Sequence, residues 1–227
     1  MANPAQLLLD QFRRWRNAPA RPNQRPPAVK EVRSPEQEDF QAHRLAVKQL
    51  EAIDQLLDEM NAAKADVSVY RRYFPHWCRA VFVFPHGWEA QVTEDLPDGI
   101  LDHLQNLAEM LRYYVPTVTP DGLAALGNYV ATVKAALEDD GSIPDPLRIH
   151  VLEVIEHLSW CVEKYDDVGD FLLAEAVERL AATVIRAAAG SADKGKWRTV
   201  MDTFIWPFTV NVMAAIPGQA LTMLALG

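Results

Sequence analysis

Apolar residues recur along most of this chain at steps of three and four, the spacing that lines side chains up on one face of an α-helix. Ala5, Leu8, Phe12 and Trp15 make the first such stripe. Asn3-Pro4 opens it with a capping residue and a proline at a position where a missing N–H costs nothing. The stripe should end near Asn17, because Pro19, Pro22, Pro26 and Pro27 predict an extended linker. Ser34-Pro35-Glu36-Gln37 then reads as a capping box that starts a long helix reaching Lys64, with Ala46, Leu50, Ile53, Leu57 and Met60 on its seam.

Residues 66–92 are ambiguous. Val67, Val69, Val81, Val83 and the nearby aromatics tolerate strands, but Pro75 suits a helix start. A short helix carrying Trp77, Val81 and Phe84 is the favoured expectation, closed by Pro85-His86-Gly87.

Three kindred phrases follow: Pro97-Asp98-Gly99-Ile100, Pro120-Asp121-Gly122-Leu123 and Pro144-Asp145-Pro146-Leu147. Each places proline and a negative charge where a first helical turn accepts both. The seams are Ile100-Leu104-Leu107-Leu111, Leu123-Leu126-Val130-Val133-Leu137 and Leu147-Val151-Val154-Leu158-Cys161-Tyr165. A fourth helix, after Asp166-Asp167-Val168-Gly169, carries Leu173, Val177, Leu180 and Val184. A duplicated unit and a shared way of starting a helix would both give this pattern.

Short connections between such helices imply antiparallel neighbours. The chain is therefore expected to be all-α, an antiparallel helical bundle of about six or seven helices. Its expected parts are a basic amphipathic arm and linker at 1–33, the bundle at 34–202, and an uncharged hydrophobic helical hairpin at 203–227.

Charge sharpens this division. The net charge is −9, but residues 1–33 hold seven basic and two acidic residues, a net of +5 that leaves −14 on 34–227. An acidic body disfavours nucleic acid, whose phosphates need a basic face. Two cysteines, Cys78 and Cys161, offer no disulfide framework and fit a reducing compartment. Leu7-Leu8-Leu9 is too short for a secretory leader, and its positive charges follow it rather than precede it. The expected location is cytoplasmic, with membrane contact confined to the C-terminus.

Candidate chemistry is sparse. Gly190-Ser191-Ala192-Asp193-Lys194-Gly195-Lys196 has phosphate-loop spacing, but Trp197 stands where that loop needs a hydroxyl, and a helix precedes it instead of a strand. An inter-helix turn with Gly190 as C-cap is the better reading. His150, Glu153 and His157 can share one helical face, yet no Glu-x-x-His pair accompanies them, so they are only weak metal candidates. His76, Cys78 and His86 lack a fourth ligand for zinc. No catalytic residue and no cofactor are expected.

After Asp202 no charged side chain occurs. Phe204, Ile205, Phe208, Val210, Val212, Ile216, Leu221, Leu224 and Leu226 favour bilayer insertion by about −3 to −5 kcal/mol. Pro207, Asn211, Pro217-Gly218 and Gln219 oppose it, a proline inside a helix alone costing about 3 kcal/mol. Core, membrane and oligomer contact all remain open for this stretch. If it meets a membrane or a second copy, Trp197, Phe204, Ile205, Trp206, Phe208, Leu221 and Leu224 are the contact candidates.

Tyr73-Phe74-Pro75-His76-Trp77-Cys78-Arg79-Ala80, with Leu147 to Leu180 around Tyr165-Asp166-Asp167-Val168-Gly169, resembles a group of uncharacterised bacterial all-helical proteins that end in an apolar segment. The resemblance covers half the chain, implies the helical fold, and brings no activity with it.

The leading functional expectation is a non-enzymatic interaction or assembly protein, bound to a protein partner or to its own copies. Its recognition element would be the arm, with Leu8, Phe12 and Trp15 flanked by Arg13, Arg14 and Arg16, although the same stripe equally suits a helix that packs back on its own domain. The alternatives are a membrane-engaging effector of toxin or defence type using the C-terminal segment, and a metal-binding helical-bundle enzyme.

Overall fold

The computed structural model describes residues 3–16, 37–82 and 96–208, and these are all-helical, with eight helices and no strand among them. The chain divides into two compact units, Ala2–Tyr114 and Val115–Gly227, so the expected bundle at 34–202 is shared between two bodies.

The amino-terminal unit contains α1 (Pro4–Arg16), α2 (Gln37–Ala62), α3 (Ser68–Phe82) and α4 (Asp98–Leu111). Helix α1 packs on α2 and α4, and α3 packs on the same two, so the four close on one another. The core joins Leu8, Phe12 and Trp15 to Leu50, Ile53, Leu57 and Met60 of α2, Trp77 and Val81 of α3, and Leu104, Leu107 and Leu111 of α4. Leu101, not Ile100, begins the α4 seam; the Ile100 carbonyl instead accepts from Trp77 Nε1 at 3.0 Å. Asn3 works twice. Its Oδ1 caps α1 through the Gln6 amide at 3.0 Å, and its Nδ2 donates to the Ala108 carbonyl of α4 at 2.9 Å.

Helix α3 departs from expectation. It begins at Ser68, where the Asp66 carboxylate accepts from the Ser68 amide at 2.9 Å, and it runs through Pro75 instead of starting there. The Asp66 side-chain turn nine residues upstream, which sets the helix start, outweighs the backbone hydrogen bond that the proline forgoes. The expected helix end at Phe84-Pro85 and the capping box at Ser34-Pro35-Glu36 lie outside the described residues.

The carboxy-terminal unit contains α5 (Pro120–Glu138), α6 (Asp145–Glu163), α7 (Tyr165–Gly190) and α8 (Lys194–Asp202). Helices α6 and α7 pack on each other most extensively and are joined by Lys164 alone; α5 and α8 complete the four. Leu126, Val133, Leu137, Val151, Val154, Leu158, Leu173, Val177, Leu180 and Val184 form the core. Tyr129, not Val130, takes the middle of the α5 seam.

Helix α7 is broken at Gly169, whose φ of 77° and ψ of −179° fit only a residue without a side chain. Gly190 ends α7 without a left-handed conformation, and Ser191 takes the cap position. A Cβ at Gly190 would stand 3.1 Å from Leu147 Cδ2, so the glycine serves close helix approach rather than a turn. None of the described helices is long and apolar enough to cross a membrane.

Candidate functional site

The most concentrated polar chemistry among the described residues lies where the α5–α6 turn meets the α7–α8 turn. Asp140 lies near the start of the first turn and is buried. Its Oδ1 accepts from the Ser142 hydroxyl at 2.6 Å and the Ser142 amide at 2.9 Å. Its Oδ2 accepts from the Ser191 hydroxyl at 2.5 Å and from Trp197 Nε1 at 2.8 Å. The Ser142 hydroxyl accepts in turn from the Ala192 amide, and that of Ser191 from the Asp193 amide. These donors, Ser142 foremost, then Ser191 and Trp197, hold the Asp140 carboxyl well below the usual carboxylate range.

The region that mimics a phosphate loop is thus a closed knot. Lys194 donates to the Ala188 and Ala189 carbonyls, and Lys196 to the Asp139 carboxylate at 2.7 Å. Asp193 Oδ1 caps α8 by accepting from the Lys196 amide. The sequence reading missed this node, although Asp140-Gly141-Ser142 carries the signature of an Asx turn.

A second buried carboxylate, Asp170, follows the Gly169 break. It accepts from the Val118 amide at 2.9 Å and the Tyr165 hydroxyl at 2.7 Å, fastening the α4–α5 connection to α7. Burial first, then this hydrogen bond and the charges of Asp170 and Asp166, push the Tyr165 phenol far up. Tyr165, expected on the α6 seam, belongs to α7 because the chain turns at Lys164.

His150, Glu153 and His157 lie on α6, with Glu153 exposed and both histidines half-buried. Seven residues of helix separate the two imidazoles by about 10 Å of axial rise. His157 turns to Cys161, with Nε2 3.9 Å from Sγ, and stacks on Trp160. Among the described residues no three His, Cys, Asp or Glu side chains come together to hold a metal ion. His76 is exposed and Cys78 half-buried on α3, while His86 lies outside the described residues. Burial, and then the Asp54 charge, raise the Cys78 thiol and so keep it protonated and weakly nucleophilic.

The arm is a working part of the amino-terminal unit. Leu8, Phe12 and Trp15 are buried against α2 and α4, so this stripe is not displayed to a partner. Its arginines lie on the outer side. Arg16 Nη1 meets Asp98 Oδ1 at 2.6 Å, Arg13 reaches Gln105 at 2.8 Å and Asp10 at 3.8 Å, and Arg14 is exposed.

The uncharged segment is described as far as Phe208. Trp197, expected at a membrane or oligomer contact, is fully buried instead, because its indole N–H serves Asp140. Phe204 and Trp206 are half-buried, Phe208 is buried, and Ile205 is 69% exposed. Phe204 packs edge-on to Tyr129 of α5 with centroids 5.0 Å apart. Burial pushes the Tyr129 phenol up to about 12. Leu221 and Leu224 lie outside the described residues. Compared with protein-family models, with curated proteins and with solved structures, the chain matches none.

Proposed function

We propose that this protein is a non-enzymatic interaction or assembly protein of the cytoplasm, recognising an acidic protein surface through the outer face of α1. The observation that carries this reading is the orientation of that helix: Leu8, Phe12 and Trp15 inward, with Arg13, Arg14 and Arg16 outward. Recognition then works by charge from a helix docked on its own unit rather than from a movable basic arm.

The ion pairs that Arg13 and Arg16 make are exposed, and such pairs are worth at most about 1 kcal/mol, so exchanging them for a partner's carboxylates costs little. The chain offers its own complement, because residues 34–227 carry −14 against +5 on 1–33. A second copy is therefore the partner to test. Light scattering in low salt should give a mass above the 25.5 kDa of one chain, falling toward it as salt screens the contact. Arg13→Glu with Arg14→Glu should abolish the association and leave the helical circular dichroism intact. A single-chain mass at every salt and protein concentration would count against the reading.

The exposure of Ile205, beside half-buried Phe204 and Trp206 and ahead of further uncharged residues, favours a second reading as a membrane-engaging effector. Anionic liposomes should then sediment the full chain but not a version lacking 209–227, which keeps Phe208 on the carboxy-terminal unit. Equal sedimentation of both would remove this reading.

A further inference from the structure

We propose that residues 203–208 form a latch, a strap that opens and shuts as a unit while α5–α8 stay folded. It decides whether Thr203–Phe208 is held on the carboxy-terminal unit or released from it. This goes beyond the association through α1 and does not depend on it.

The strap leaves α8 at Thr203, whose hydroxyl donates to the Val200 carbonyl at 2.8 Å, and crosses the start of α5. Phe208 pairs with Val118 in an antiparallel bridge, and the Thr119 amide donates to the Pro207 carbonyl at 3.3 Å. That hydrogen bond is long, near the limit for an amide and a carbonyl. Pro207 has no N–H to return, so the strap cannot build a continuous ladder there.

Its remaining hold on the unit is the burial of Pro207 and Phe208 and the edge-on contact of Phe204 with Tyr129; Trp206 on Phe208, at 5.2 Å, lies within the strap itself. Aromatic pairs of this kind add only about 0.5–1.5 kcal/mol each beyond area burial. The helices beneath are fastened differently, by full backbone ladders and by the buried Asp140 and Asp170 nodes. A stretch with two exposed and two half-buried residues, anchored at its end by Pro207 and Phe208 and by one long hydrogen bond, belongs to the low-stability end of a structure and opens locally.

Gly122 is the seat of the latch. A Cβ there would stand 2.3 Å from the Pro207 carbonyl oxygen and 2.9 Å from Thr119 Oγ1. The first of these is backbone and cannot rotate away. Gly127, further along the same helix, has open space where its Cβ would be, which makes it the natural control.

Two neighbouring amides separate strap opening from unit unfolding. Thr119 donates to the strap and Val118 donates to Asp170. In the intact protein, hydrogen exchange by NMR should find the Thr119 amide exchanging at least about tenfold faster than that of Val118. Gly122→Ala should remove the remaining Thr119 protection and bring the Tyr129 phenol from about 12 toward the ordinary value of about 10, with helical circular dichroism preserved. Gly127→Ala should change neither. Equal protection at Thr119 and Val118 in the intact protein would overturn the latch. So would a Gly122→Ala protein that loses its helicity, or one that keeps both the Thr119 protection and the raised Tyr129 value.

Discussion

Lys64 has a φ of 68°, a left-handed conformation that costs a residue with a side chain about 1–2 kcal/mol. It closes α2 in a Schellman arrangement, with the Ala65 amide on the Met60 carbonyl and the Lys64 amide on that of Asn61. Lys64→Gly should therefore raise stability by about 1 kcal/mol in urea unfolding. Asp140 works in the opposite sense. Removing its carboxylate leaves the Ser191 hydroxyl and the Trp197 indole N–H without their buried acceptor, at about 1–3 kcal/mol for each such group. Asp140→Ala should lower the stability of the carboxy-terminal unit by at least about 2 kcal/mol.

The pH dependence of this residue has a definite sign. The folded-state value lies below the unfolded one, so the contribution is fully present above about pH 4, where aspartate is ionised even when unfolded. It is lost as pH falls through the depressed value. Asp140→Asn should flatten the acid limb of a stability-against-pH curve; an unchanged limb would assign the acid sensitivity to other groups. The local half of this node, Asp140-Gly141-Ser142, is legible in sequence as a turn. Ser191 and Trp197 are not, because they stand 51 and 57 residues away and only folding brings them in.

At the scale of elements, the three-four spacing carries most of the information. Every seam residue named for α2 and α7 is buried, because a long regular stripe has one face that can pack. Starts and registers were harder to read, as Ser68 in place of Pro75 and Tyr129 in place of Val130 show. Caps and aromatic bulk decide those points, and neither alters the period. The three Pro-Asp phrases also part company in detail. Proline is the cap residue for α4 and α6, whereas in α5 Thr119 is the cap and Pro120 the first helical residue. The phrases for α4 and α6 thus begin their helices in one way and that for α5 in another. The Gly169 break is specific enough to test: Gly169→Ala should cost about 1–3 kcal/mol, read by thermal unfolding of α5–α8, since its backbone region excludes a Cβ.

For the molecule as a whole, what the chain could not announce was which stripe meets which. A seam reports that a helix is buried on one side and says nothing of its neighbour. Division into two compact units was hidden for that reason, and so was the identity of α2 and α4 as the helices on which α1 docks. The charge asymmetry was visible from the start, but its meaning depends on that docking, which turns the arginines of α1 outward. Helix α1 completes the amino-terminal core. Hydrogen exchange read by mass spectrometry on Trp15→Ala tests it most directly, since truncating a buried tryptophan costs about 3–5 kcal/mol. Faster exchange throughout α1, α2 and α4, with α5–α8 unchanged, is the expected result. Exchange altered in α1 alone would contradict it, showing an arm that rests on the unit without helping to hold it together.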